Sequence, residues 1–260
     1  VADFLYALPD AAIILTFALV LGGAVAALPF AIGIFPVLRP SSENTDFILR
    51  IQSTLFTMTG FALAFTLVQA QGNFRRVEAI VQAEASQINT LDRLLTRYGD
   101  PSVAAIRPAL LAYANSIVKE EWPKMANETG EDATLRAFVP VARAVTAINA
   151  APGRQTSLYS EMLKSLDVIA ESRESRLDAA KIALPTVYWS VVWFAMCVLV
   201  VASGTVVRTP FRTLFLASQA AVLGAFIGVV FITDHPLKGQ TSVGPDALNA
   251  VITAISARSS

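Results

Sequence analysis

Four long apolar stretches interrupt the chain in two pairs: about Ala11 to Leu38 and Ile51 to Gln71, then about Pro185 to Val207 and Phe211 to Thr233. As helices, each is long enough to cross ~30 Å of hydrocarbon. Between the pairs, residues 73–184 hold most of the charge and repeat apolar positions at helical spacing. The pattern predicts an all-α membrane protein, four transmembrane helices with a helical soluble bundle inserted between spans two and three. The expected divisions are a first helix pair at 1–72, the bundle at 73–184, a second pair at 185–233, and a C-terminal loop with a short amphipathic helix at 234–260.

The first run reads as a span and not as a cleavable signal. It is longer than an h-region, prolines interrupt it, and no Lys or Arg precedes it. Pro9-Asp10 suits its start, and Pro29 and Pro36 mark a kink and an exit. Gly22-Gly23 with Ala24, Ala26 and Ala27 give it a thin surface for close helix packing, and Gly224 and Gly228 do the same for span four. Residues 39–44 form a short polar turn. Tyr188 and Trp189 stand at the start of span three, where amphipathic rings mark a membrane interface.

Span two differs in kind. Gln52, Phe56, Thr59, Leu63, Thr66 and Ala70 fall on one helical stripe with a four–three rhythm, alternating polar and apolar side chains. Two readings of the stripe stand side by side. It can be a helix–helix packing interface, because Ser and Thr satisfy their hydroxyls on the preceding turn. It can also line a pore, with Gln52, Thr59 and Thr66 as polar collars and Phe56 and Leu63 as constrictions. Apart from Arg212 at the edge of span four, no Asp, Glu, Lys or Arg lies within a span. Proton relays, voltage sensors and many coupled transporters need such groups, so their absence weighs against a transporter more than against a channel. Arg75-Arg76 directly after span two is an interfacial anchor or, in a ring of subunits, a positive charge at a pore mouth.

In the middle region, Val77, Ile80, Val81, Ile88, Leu91, Leu94 and Leu95 predict a helix that continues span two past Gly72-Asn73. Gly99-Asp100-Pro101 predicts a stop and a capped restart. A second helix is expected to about Trp122, a third over Glu131–Ala150, and a last one from about Thr156 to Leu184 that runs straight into span three. Glu120-Glu121 and the group Glu171, Arg173, Glu174 and Arg176 read as solvated helical pairs. A final helix is expected at Ala247–Ile255, lying on the membrane or docking on the bundle.

Composition agrees with a membrane protein. Hydrophobic residues make up 54% of the chain and charged residues 15%, against ~25% charged in soluble domains. The net charge of zero offers no field for nucleic acid. The single cysteine, Cys197, sits inside span three and the single histidine, His235, in a proline turn. No nucleophile–base pair, phosphate loop or metal-ligand set is visible. The expectation is therefore no enzyme, no cofactor and no metal. Cation counts near the membrane ends balance and give no orientation.

Glu84-Ala85 with Leu91, Tyr113 with Glu121-Trp122, Arg173 and Arg176, and Asp234-x-Pro236-x-x-Gly239 with Val243 and Pro245 carry a resemblance to the bestrophin-like DUF4239 family of bacterial and plant membrane proteins. It covers nearly the full length through short motifs. Leu237 stands where the family pattern has an aromatic, and a histidine before Pro236 is unusual. Bestrophins are oligomeric anion channels with four spans per subunit and a pore lined by the second span. The resemblance thus implies a homo-oligomeric, anion-conducting channel passing small inorganic ions through the bilayer, a pentamer by preference. It also implies termini in the cytoplasm, with a bacterial inner membrane as the expected location. The alternative is a non-conducting membrane scaffold or accessory subunit whose bundle docks a partner protein.

Overall fold

The computed structural model describes residues 2–32 and 42–258. Eleven helices occur there: α1 (Ala2–Tyr6), α2 (Asp10–Ile32), α3 (Ser42–Tyr98), α4 (Pro101–Ala104), α5 (Arg107–Ser116), α6 (Trp122–Met125), α7 (Asp132–Thr146), α8 (Arg154–Ala179), α9 (Thr186–Gly204), α10 (Pro210–Asp234) and α11 (Asp246–Ala257). A π-helical turn, Ile117–Glu121, joins α5 to α6. No strand occurs among the described residues. Helices α2, α3, α9 and α10 are long and apolar enough to cross a membrane.

The chain forms two compact units. Unit one holds residues 1–74 and 183–242, and unit two holds 75–182 and 243–260. Residues 234–242 belong to unit one and α11 to unit two.

Unit one is organised by α2 against α10. A Cβ on Gly224 would overlap the Phe17 carbonyl oxygen, and one on Gly228 would stand 2.8 Å from the Ile14 Cα. Only glycine lets the two backbones approach this closely, and in lipid such contact is what holds helices together. Leu21, Val25, Leu63, Met196, Leu199 and Ile227 fill the layer among α2, α3, α9 and α10. Thr209 caps α10, its hydroxyl accepting from the Arg212 amide at 3.2 Å, with Pro210 at the first helical position. The helix α2 continues through Pro29 to Ile32, while Pro36 and residues 39–41 lie outside the described residues. The expected turn is shorter than predicted at its far end, since α3 already begins at Ser42.

Unit two is a helical bundle with its own aliphatic core. Val77, Val81, Ile88, Leu91 and Leu95 turn one face of α3 inward, and Leu110, Val141, Ile169 and Leu248 on the other helices are buried as well. Each such side chain, fully buried from water, contributes about 1.5–3 kcal/mol. The predicted restart holds: the Asp100 carboxylate accepts from the Ser102 amide at 2.8 Å ahead of Pro101. Those hydrogen bonds, from the Ser102 hydroxyl first, hold the carboxyl below its ordinary range.

Several boundaries differ from expectation. The second helix is divided at Ala105-Ile106 and again by the π turn, and Pro108 and Pro123 each occupy the first turn of the helix that follows. The third begins after Glu131, whose side chain caps Ala133, and stops at Thr146. The last helix stops at Ala179 and does not run into span three, which starts at Thr186. Pro185 explains the break, since it disfavours helical geometry in the residue before it. The final helix docks on the bundle: Arg258 lies 3.1 Å from the buried Asp92 carboxylate and donates to Asn89 at 2.6 Å.

Candidate functional site

The helix α3 carries two opposite stripes within unit one. The predicted pore stripe is the buried one. Gln52, Thr59, Leu63 and Thr66 are 2–3% exposed, Ala70 is fully buried, and Phe56 packs against the core. Gln52 donates from Nε2 to the Ser203 Oγ at 2.6 Å, and the Ser203 hydroxyl donates to the Leu199 carbonyl at 2.8 Å. Thr66 donates to the Ala62 carbonyl at 2.8 Å. The side chains named as collars and constrictions therefore pack inside the protomer. The Gln52–Ser203 bond ties α3 to α9 and contributes about 0.6–2 kcal/mol in a membrane.

The opposite stripe has the same rhythm and was not singled out by sequence. Arg50, Thr54, Thr57, Phe61, Ala64, Val68 and Gln71 follow at steps of four and three residues, and all are exposed. Phe61 is 73% and Val68 68% exposed. By contrast, α2 exposes mainly Leu15, Leu19 and Val20, α9 Val187, Val191 and Phe194, and α10 Leu214, Val222 and Phe226. Those faces are apolar enough for lipid. Arg75 and Arg76 are exposed at the start of unit two.

Unit two contains a charged cluster that reads as solvated from its helical spacings but is buried. Arg176 on α8 has no exposed surface, nor have Glu84 on α3 and Glu121 in the π turn. Arg176 donates from Nε to Glu84 at 2.6 Å and from Nη2 to Glu121 at 2.7 Å. Arg173 pairs with the same Glu121 and donates to the Glu131 carbonyl at 3.2 Å. Tyr113 donates to Glu84 at 3.4 Å. Two cations meet two anions, so the burial cost is met by complete pairing. Burial alone lowers the Arg176 pKa, but the Glu84 and Glu121 carboxylates outweigh it and hold the guanidinium above its ordinary value. Five of the residues that carry the family resemblance, Glu84, Tyr113, Glu121, Arg173 and Arg176, are thus one hydrogen-bonded network. It ties α3, α5, the π turn and α8 together.

The other family motif closes unit one. Asp234, 5% exposed, accepts from the Leu184 amide at 2.6 Å and from the Trp189 indole at 3.1 Å. His235 meets the Tyr6 hydroxyl at 3.0 Å. Gly239 turns the chain at φ +87°, a conformation that requires glycine. Among the described residues no group of His, Cys, Asp or Glu is placed to hold a metal ion.

Four apolar helices spanning unit one, with a helical bundle as unit two, define a multi-pass integral membrane protein. The family model of the bestrophin-like domain matches residues 16–248, and the chain belongs to the bestrophin-like family. Its fold is similar to that of a bacterial bestrophin homologue from Klebsiella pneumoniae, a crystal structure of a single-substitution variant. The match has a TM-score of 0.66 at 14% identity and covers 93% of this chain and 96% of that one. At that identity the likeness is one of fold. No curated protein matches the chain.

Proposed function

We propose that the protein is a homo-oligomeric ion channel conducting small inorganic anions, with the exposed stripe of α3 facing the conduction axis. One observation carries this reading: α3 turns a stripe of cation, hydroxyl, aromatic, aliphatic and amide side chains outward, where the other spans turn mainly large apolar groups. A stripe of that chemistry is poorly suited to lipid and well suited to a ring of identical helices. Thr54, Thr57 and Gln71 would replace hydration, and Phe61, Ala64 and Val68 would form an apolar constriction that gates by dewetting. Arg50 at one end, with Arg75 and Arg76 as pore-mouth charge, favours anions over cations. The family resemblance supports a pentamer. It also supports a bacterial inner membrane with the termini and bundle on the cytoplasmic side.

Reconstitution into planar bilayers tests the reading. Single-channel currents are expected, with a reversal potential that follows the chloride gradient. A silent preparation that co-purifies with a different protein at fixed stoichiometry would instead support a scaffold role. A reversal potential following the cation gradient would remove the anion assignment while keeping conduction.

A further inference from the structure

Within unit one, Tyr6, Phe17, Trp189, Trp193 and Phe231 line a cavity of about 370 Å³ together with Asp234. Tyr6 stacks on Phe231 at 4.6 Å between ring centres, Phe17 approaches the same ring at 5.6 Å, and Trp189 meets it edge-on at 6.4 Å. The lining is apolar except for its one carboxylate and the His235 and Tyr6 polar atoms.

Both Asp234 oxygens accept from neutral donors, the Leu184 amide and the Trp189 indole. The nearest basic group is His235, with Nδ1 at 3.6 Å. Its Nδ1 meets the Tyr6 hydroxyl at 3.0 Å, and that hydroxyl donates to the Phe231 carbonyl at 3.0 Å. Among the described residues no lysine or arginine pairs with Asp234.

A carboxylate without a lysine or arginine partner, beside several aromatic rings, is complementary to a cation. Inorganic divalent ions need six or more oxygen ligands, and a single carboxylate among rings does not supply them. An alkylated ammonium uses both parts, the carboxylate for its charge and the ring faces for its polarised methyl or methylene groups. Interfacial aromatic anchoring accounts for indole rings at this depth. It does not account for a cavity that these rings line together with a buried carboxylate.

We propose that this cavity binds an alkylammonium group, either the head of an amine-bearing lipid or a free small amine. The assignment is independent of ion conduction. The probe is choline, titrated into the full chain in nanodiscs of phosphatidylglycerol, which has no amine, and read by tryptophan fluorescence. A saturable change is expected. The uncharged carbon isostere 3,3-dimethylbutan-1-ol should bind about tenfold more weakly or worse. Trp193→Leu, at a position 44% exposed, and Phe17→Leu should each abolish the saturable response while leaving the helical circular dichroism unchanged. Two variants guard against one of them failing to fold. Equal response to choline and its isostere, or no saturation with choline, overturns the proposal. In nanodiscs of phosphatidylethanolamine, a weakened choline response identifies the lipid head as the occupant, and an unchanged one identifies the free amine.

Discussion

Arg176 on α8 and Glu84 on α3 meet at 2.6 Å, Nε to Oε2, with neither side chain exposed to solvent. The same guanidinium reaches Glu121 at 2.7 Å and lies 6.0 Å from the centre of the Trp122 ring. Removing the cation leaves two buried carboxylates with one remaining cation, Arg173. Breaking a buried pair from one side costs about 3–5 kcal/mol, more than the net value of the pair itself. Arg176→Met should therefore lower the melting temperature of the purified protein sharply, as followed by circular dichroism. Lys181→Ala removes an exposed pair with Asp178 and should stay within about 0.5 kcal/mol of wild type. Similar melting temperatures for the two variants would refute a locking role.

Tyr113 gives the same network a pH dependence. Burial, and after it the Glu84 carboxylate, push the phenol above its ordinary value of 10.0. Between the unfolded and folded values, the folded chain holds a proton that the unfolded chain has released. The contribution to stability is thus complete below pH 10 and falls as pH rises beyond it. Tyr113→Phe should cost about 1 kcal/mol near neutrality through its lost hydrogen bond. Above pH 10 its deficit relative to wild type should shrink. Denaturation curves at stepped alkaline pH decide the matter: a constant gap means that Tyr113 does not titrate with unfolding.

The contact of α2 with α10 rests on two positions without side chains. Gly224→Ala places a methyl group against the Phe17 carbonyl, and backbone cannot yield as a flexible side chain can. Overpacking of this kind costs about 1–3 kcal/mol. Gly23→Ala has nothing within 4 Å of the added carbon and should be neutral, or stabilising by up to about 1 kcal/mol through helix propensity. Thermal stability in detergent should separate the two substitutions. Equal effects would mean that the helices do not depend on this approach.

Much of this architecture was readable from residue order. The Gly224–Gly228 spacing announced a close crossing, and the pattern from Val77 to Leu95 announced that span two continues as a helix. Burial was less readable, for two separate reasons. On α3, Gln52, Thr59 and Thr66 alternate with apolar residues much as Thr54, Thr57 and Gln71 do on the opposite side. Periodicity finds such stripes but cannot rank them when neither surrounding is water. On α8, Arg173 and Arg176 have the spacing of solvated pairs, yet their partners Glu84 and Glu121 lie far upstream in sequence. Burial of a charge is set by tertiary partners, which local spacing does not contain. Only the family resemblance linked those four residues beforehand.

Phe61 and Leu63 stand two residues apart on α3, about 200° around the helix, and so separate the two stripes. Phe61 is 73% exposed and Leu63 2%. If conduction follows the exposed stripe, Phe61→Ala widens an apolar constriction and should raise single-channel conductance or open probability, with little change in protomer stability. Leu63→Ala should do the opposite, lowering stability by about 2–5 kcal/mol through an internal cavity while leaving ion selectivity and unitary conductance as they were. Bilayer recordings paired with melting temperatures on the same preparations give both readouts. A conductance change in Leu63→Ala, with none in Phe61→Ala, would return the axis to the buried stripe and require the protomer to repack on assembly. Arg50→Gln then tests the charge at one end of the exposed stripe. Loss of that cation should shift the reversal potential away from the chloride value, most clearly at low salt, where screening of an exposed charge is weakest.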